Sequence, residues 1–332
     1  MGRQAKGCRD GKWPWQIAVP MDNSWLHGTN LEKPASVMSE MQDEFDPPLE
    51  ALEPAERRGP LLFNSPHSGR IYPREFLLAS RLDLATLRRS EDSFVGELIE
   101  GMVARGHPVV RAHFPRCYVD VNREPYELDP RMFEGRLPSF ANTRSMRVAG
   151  GLGTVARVVG DAQEIYDQRI SVAEALRRID ELYKPYHRAL RRVFMRLQRD
   201  FGAAILIDCH SMPSSTGNRD ERPRADLVLG DRYGTSCVGI VPETIEQCMR
   251  GFGYSVSRNK PYAGGFITEH YGNPTTGLHA IQLEINRALY MDERRYERSA
   301  SFPKLAAQFE TLADRLAEIP LEELRPYRAA AE

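Results

Sequence analysis

Two histidines in this sequence follow short apolar runs, and each is followed by a serine and a turn-forming residue. His67 lies in PLLFNSPHSG and His210 lies in AAILIDCHSMPS. An apolar run of this length that ends in turn formers is typical of a buried strand. A catalytic zinc ion takes three protein ligands of the histidine and carboxylate type and leaves a fourth position for water. The pair therefore indicates a metal site, although either histidine alone would fit a structural position equally well.

The third ligand of such a site would be Glu91 or Asp92, two adjacent acids in the segment SEDSFVGEL. Leu87, Val95 and Leu98 have the spacing of one helical face. Glu91 lies on this apolar stripe and Asp92 lies at its edge, so a helical wheel favours Glu91 as the inward acid. Alternatively, both acids only stabilise the N-terminus of a helix through its dipole.

Two further strand candidates end in polar residues. CYVDVNRE carries Asp120, Asn122 and Arg123, and HAIQLEINRALYM carries Glu284 and Arg287. In α/β sheets, ligands bind beyond the carboxyl ends of the strands. We therefore expect these side chains to converge with the two histidines at one edge of a sheet.

Arginines near these strand ends are suited to an acidic substrate. The guanidinium groups of Arg116, Arg123 and Arg287 could grip carboxylates with two parallel hydrogen bonds each. Ion pairs with neighbouring acids are the alternative for any one of them. Asp208 could accept a hydrogen bond from a metal-bound histidine. No Gly-x-Ser-x-Gly elbow surrounds Ser211, which argues against a serine hydrolase.

The predicted elements alternate between strands and helices. Residues 86–106 and 302–318 have helical patterns, and residues 171–202 form a long amphipathic segment that Pro185 divides or kinks. HPVVRAHF and ADLVLGD are further strands. This order predicts an α/β fold with a mixed, largely parallel central sheet flanked by helices. We expect a loosely ordered leader over residues 1–57, one domain over 58–322 and a tail over 323–332. An N-terminal arm packed on the domain is the alternative for the leader.

Composition excludes several classes of protein. The chain has 332 residues and a net charge of −1, and its basic residues form no block, so we expect no nucleic-acid partner. No run approaches the roughly 18 apolar residues that span a bilayer. The N-terminus lacks the apolar core of a signal peptide, and five scattered cysteines argue against a disulfide scaffold. We expect a cytoplasmic protein that acts on a small molecule; the oligomeric state is not predicted.

Eight segments between about residues 60 and 293 are informative when taken together and in order. They are NSPHSGRIYP, SEDSFVGEL, FPRCYVDVNREPYELDP, GLGTVARV, YKPYH, LIDCHSMPS, NKPYAGGFITEHYGNP and HAIQLEINRALYMDE. This set resembles the N-formylglutamate amidohydrolase family. The resemblance implies a zinc hydrolase with a zinc-carboxypeptidase-like (phosphorylase/hydrolase-like) fold. It also implies cleavage of N-formyl-L-glutamate to formate and L-glutamate, late in histidine degradation.

The resemblance also implies roles for individual residues. One zinc ion per chain would be bound by His67, Asp92 and His210, so it favours Asp92 where the helical wheel favours Glu91. Glu284 matches the catalytic glutamate. The residues expected to contact substrate are Arg116, Asn122, Arg123, His270 and Arg287. The alternatives are a zinc carboxypeptidase, an amidase of another N-acyl amino acid, and a metal-free protein that binds an anionic ligand.

Overall fold

A computed structural model describes residues 45–215 and 224–326, and its centre is one seven-stranded sheet. In chain order the strands are β1 Leu49–Leu52, β2 Leu61–Ser65, β3 Val109–Ala112, β4 Ala204–Met212, β5 Leu227–Gly230, β6 Val256–Arg258 and β7 Leu278–Asn286. Their order across the sheet is β1-β3-β2-β4-β7-β5-β6. Neighbours are parallel except at β1–β3 and β5–β7. The predicted mixed, largely parallel sheet is confirmed.

Helices cover both faces of this sheet. They are α1 Arg74–Ala79, α2 Leu84–Arg88, α3 Val95–Leu98, α4 Met146–Ala149, α5 Val172–Arg178, α6 Lys184–Phe201, α7 Ile240–Gly251, α8 Phe266–Tyr271, α9 Phe302–Ala317 and α10 Leu321–Leu324. A π-helical turn, Ile179–Tyr183, joins α5 to α6, where the sequence predicts a division near Pro185. Three two-residue strand pairs lie outside the sheet: Phe133–Glu134 with Ile170–Ser171, Val158–Val159 with Gln163–Glu164, and Met291–Asp292 with Glu297–Arg298.

On one face of the central strand β4, the side chains change from apolar to polar halfway along the strand. Leu206 belongs to the apolar cluster that contains Leu190 of α6, whereas Ile207 belongs to the cluster on the opposite face. Successive strand residues point to opposite faces, so Asp208 and His210 share the face of Leu206. The first half of this face therefore packs against a helix, and the second half supplies polar groups at the carboxyl end of the sheet.

Two predicted elements are wrong. Residues 86–106 do not form one helix: α2 ends at Arg88, and Phe94 has a φ of 66°, in the left-handed region. Asp92 therefore lies in a non-helical loop, so a helical wheel has no meaning at this position. CYVDVNRE contains no strand; Val119 and Val121 are buried in irregular backbone, and the Asp120 N–H donates to the Thr154 carbonyl at 2.8 Å.

The domain begins earlier than residue 58. Residues Leu49–Leu52, which the sequence analysis assigned to a leader, pair antiparallel with β3 at the edge of the sheet. Phe45 is also buried, with its ring 6.2 Å from that of Phe114. The rest of the predicted leader, residues 1–44, lies outside the described residues, as do 327–332 of the tail. Within the described parts of the chain, no helix has the length and apolar character to cross a membrane.

Candidate active site

Three buried side chains converge beyond the carboxyl ends of β2 and β4. Asp92 Oδ2 lies 3.1 Å from His210 Nδ1 and 3.4 Å from His67 Nδ1. The potential ligand atoms of the three residues all lie within 4.8 Å of one another. The Asp92 N–H also donates to the His67 carbonyl at 3.0 Å, which ties the Asp92 loop to the turn after β2. Two imidazole nitrogens and one carboxylate oxygen thus face a common point.

The outer nitrogens of both histidines contact carboxylates. His67 Nε2 lies 2.7 Å from Asp120 Oδ1, and His210 Nε2 lies 2.9 Å from Asp208 Oδ2. Because a carboxylate only accepts hydrogen bonds, each Nε2 carries a hydrogen. This arrangement orients metal-binding histidines in many proteins. His67 Nδ1 is buried and has no hydrogen-bond partner, so the donor set fits a bound metal ion.

Electrostatics favour a positive charge at this point. Burial opposes ionisation of Asp92, but its contacts with His210 and His67 hold its pKa well below the usual value. Burial likewise opposes the charged form of His210, yet Asp208 and Asp92 hold its pKa well above the usual value. Negative surroundings that stabilise a proton on a buried histidine stabilise a metal cation for the same reason.

Glu284 lies directly beside His210, because these two residues are partners in the parallel pairing of β4 and β7. Burial, together with the charge of Asp92, raises the pKa of Glu284 to about 7, against the opposing effects of His210, Arg116 and Gln282. Gln282 Nε2 donates to Glu284 Oε1 at 2.7 Å, and Gln282 Oε1 accepts from the Gly265 N–H at 2.7 Å. The Gly265 N–H can only donate, so it fixes the orientation of the Gln282 amide. A carboxylate with a pKa near neutrality suits a general base.

A cavity of about 590 Å³ opens over these groups. Its walls come from residues 147–160, from residues 261–265 and from the strand ends. The predicted site residues that line it are His67, Asp92, Arg116, Asn122, Arg123, His210, Glu284 and Arg287. Arg147, which lies on α4, Arg232, which follows β5, and Tyr262 also line it, and the sequence analysis did not identify them.

His270 is the predicted residue that the structure does not bring to the cavity. It lies on α8, and its ring stacks on Phe266 with 5.0 Å between centroids. Burial lowers its pKa to about 4. Its ring packs among aromatic side chains, and contact between His270 and substrate stays a prediction.

The three predicted arginines differ in what their donors contact. Arg123 donates to the carbonyls of Leu152 and Asn122 at 2.9 and 2.8 Å, and Arg287 donates to protein groups with all three guanidinium nitrogens. Arg116 donates one nitrogen to Asp120 Oδ2 at 3.1 Å. Within the described residues its other two nitrogens meet no acceptor. Of the three, Arg116 therefore presents free donors to the cavity.

Asn122 links the chain at Ile267 to His210. Its Oδ1 accepts from the Ile267 N–H at 2.8 Å, and its Nδ2 lies 3.2 Å from His210 Nε2. Gly265 passes so close that an added Cβ would lie 2.5 Å from Asn122 Nδ2. A side chain at residue 265 would thus displace the side chain of Asn122, which contacts His210.

The side chains of the YKPYH segment, residues 183–187, support the site through hydrogen bonds. Tyr183 Oη donates to the Arg123 carbonyl at 2.7 Å, and His187 Nε2 lies 2.9 Å from the Val121 carbonyl. Tyr186 Oη donates to Asn64 Oδ1 at 2.5 Å, and Asn64 Nδ2 donates to Asp208 Oδ1 at 2.7 Å. These contacts support Asp208 through Asn64 and hold the backbone that follows Asp120.

Comparison with known proteins agrees with this geometry. The sequence model of the N-formylglutamate amidohydrolase family matches residues 59–291. The N-formylglutamate deformylases of Pseudomonas aeruginosa and Pseudomonas putida are 32% and 28% identical to the chain; each alignment covers 71% of this chain, and 84% and 83% of the respective relative.

A solved structure extends the match to three dimensions. The crystal structure of N-formylglutamate amidohydrolase from Ralstonia eutropha JMP134 superposes with a TM-score of 0.77 at 36% identity. The superposition covers 82% of this chain and 97% of that one. The chain belongs to the N-formylglutamate amidohydrolase family and is a hydrolase of amide C–N bonds.

Proposed function

We propose that this protein is a zinc-dependent deformylase that hydrolyses N-formyl-L-glutamate to formate and L-glutamate. The observation that carries the proposal is the buried set His67, Asp92 and His210, with Glu284 beside it on the neighbouring strand. The names of the two Pseudomonas relatives support the substrate. On this proposal the reaction is the step of histidine degradation that the resemblance implies, in the cytoplasm.

The metal site is assigned to His67, Asp92 and His210, with Asp120 and Asp208 orienting the two rings. A zinc ion bound there would polarise the formyl carbonyl and lower the pKa of a water molecule to about 7. Glu284 accepts the proton of the attacking water and returns it to the leaving amine. Its pKa of about 7 matches both halves of this transfer.

Recognition of the acidic substrate is assigned to Arg116 and Asn122. Arg116 has free donors at the cavity wall, and a guanidinium group binds a carboxylate with two parallel hydrogen bonds. Arg147 also lines the cavity and makes no ion pair within the described residues, so it can receive the second carboxylate. Arg123 stabilises the cavity wall instead, because its donors contact the backbone of Leu152 and Asn122.

The test is formate release from N-formyl-L-glutamate by the purified full-length chain, before and after dialysis against a chelator. We expect activity that the chelator abolishes and that one equivalent of zinc restores. N-formyl-L-glutamine and N-acetyl-L-glutamate are the matched control substrates, since each changes one group. Zinc-dependent turnover of the acetyl compound alone would refute the formyl substrate. Full activity in a chain freed of metal would refute the zinc site.

A further inference from the structure

The loop that carries Asp92 lacks the support of a helix. Residues 89–94 connect α2 to α3 through irregular backbone, with Phe94 in the left-handed region. The carbonyls of Arg89 and Glu91 accept from the side chain of Arg287. A metal-binding carboxylate on such a loop needs external groups to hold its position.

Arg287 supplies these contacts from the end of β7. Its Nη1 donates to the Arg89 carbonyl at 3.3 Å and its Nη2 donates to the Glu91 carbonyl. Nη2 also lies 3.6 Å from Asp92 Oδ1. The arginine is buried, with 8% of its surface exposed. A rigid planar fork that contacts two carbonyls of one loop fixes the loop in position and in orientation.

Ser211 completes the contact with the carboxylate. Arg287 Nε donates to Ser211 Oγ at 3.0 Å, and Ser211 Oγ donates to Asp92 Oδ1 at 2.9 Å. Because arginine cannot accept a hydrogen bond, the serine hydroxyl must donate its hydrogen to Asp92. Oδ1 is thereby engaged, and Oδ2 remains as the oxygen that faces both histidines.

We propose that Arg287 and Ser211 are positioning residues that hold Asp92 for metal binding, and that Arg287 is not a substrate ligand. The inference rests on the metal-dependent part of the proposed function. It differs from the sequence-based expectation for Arg287, because the donors that would grip a substrate carboxylate are engaged within the protein. Loss of either side chain should lower the affinity for zinc by a larger factor than it raises KM for the substrate.

The experiment compares Arg287→Lys, Ser211→Ala and the double variant with the wild-type chain. Zinc affinity is measured by competition with a chromophoric chelator, and KM for N-formyl-L-glutamate is measured at saturating zinc. Groups that orient metal ligands typically contribute ~10–100-fold to metal affinity. We expect a loss in this range for each single variant, with KM changed less than about threefold. Because the residues act in one chain of contacts, the double variant should lose less than the product of the single losses.

Arg250→Lys is the matched control, since Arg250 also donates to a carbonyl, that of Val256, and to an acid, Glu246. Its zinc affinity should equal that of the wild type. Wild-type zinc affinity in Arg287→Lys together with a raised KM would overturn the inference and leave the proposed function intact. A wild-type chain that binds no zinc would instead refute the metal-dependent function itself. If Arg287→Lys does not fold, Ser211→Ala alone decides, because it removes only one hydroxyl.

Discussion

Acidification should destabilise the fold through His187, a partly buried histidine of α6. Its Nε2 donates to the Val121 carbonyl, so its Nδ1 accepts from Tyr271 Oη at 2.9 Å. Both ring nitrogens are satisfied by the neutral form, and burial lowers the pKa from 6.5 to about 3. Below pH 6.5 the unfolded chain therefore binds a proton at His187 that the folded chain does not bind. Stability from this residue is complete above pH 6.5 and declines as the pH falls towards 3.

The magnitude follows from the separation of the two pKa values. Each pH unit below 6.5 costs about 1.4 kcal/mol, so His187 alone should remove about 2 kcal/mol of unfolding free energy by pH 5. His187→Gln keeps a donor for the Val121 carbonyl and cannot titrate. Urea unfolding of both proteins between pH 7.5 and pH 5 measures the effect. The variant should be less stable at pH 7.5, because the ring contacts of His187 with Tyr183 and Tyr271 are lost, but its curve should fall less steeply.

The difference between the two pH slopes isolates His187 from the other histidines, which both proteins share. Two curves that stay parallel across this range would show that His187 is not held neutral in the folded protein. The same outcome would refute the idea that α6 supports the 120–123 segment through an uncharged ring.

Four further predictions test the chemistry of the site. Glu284→Gln should retain zinc and lose ~100- to 10,000-fold in kcat, measured as formate release beside metal content; near-normal turnover would exclude Glu284 as the base. In the wild type, kcat/KM should fall as the pH drops and Glu284 is protonated, with a midpoint at or below about 7, since a bound cation lowers the pKa further; an unchanged profile in a pH series would contradict this. Asp120→Asn should weaken zinc binding ~10–100-fold by competition titration, and unaltered affinity would show that its contact with His67 is dispensable. Arg116→Gln should raise KM for N-formyl-L-glutamate ~10-fold or more and leave neutral N-formyl amino acids unaffected; an equal effect on both would exclude a carboxylate contact.

The sheet and the positions of the two histidines could be predicted because each short stretch of sequence carries its own pattern of apolar and polar residues. Apart from Leu278, the strands that carry Asn64, Asp208 and Glu284 are buried, and these three polar residues lie in the middle or the carboxyl half of their strands. Sequence spacing could not reveal the partner of each ring. Asp208 is two residues from His210 and was considered as its partner, whereas Asp120, 53 residues from His67, was expected at the same sheet edge but not as the partner of His67.

The errors arose where tertiary contacts override local pattern. Residues 86–106 have helical periodicity. However, Arg287, almost 200 residues away, donates hydrogen bonds to the carbonyls of Arg89 and Glu91, and the backbone there is not helical. Val119 and Val121 alternate with polar residues as in a strand, but they are buried in a loop held by α6. Strand β1 is only four residues long and follows a proline-rich stretch, so nothing local distinguishes it from a leader.

The pairing of His210 with Glu284 has a consequence for how new specificities could arise in this scaffold. The two residues are neighbours on adjacent hydrogen-bonded strands, so the backbone ladder fixes their spacing at about 4.8 Å. Residues 147–160 and 261–265, by contrast, form the cavity walls from loops. Both segments also support the reaction centre, because the Gly265 N–H orients Gln282 beside Glu284 and the Thr154 carbonyl accepts from the Asp120 N–H. Exchange of either segment should therefore change selectivity and reactivity together, while the strands keep the spacing of His210 and Glu284.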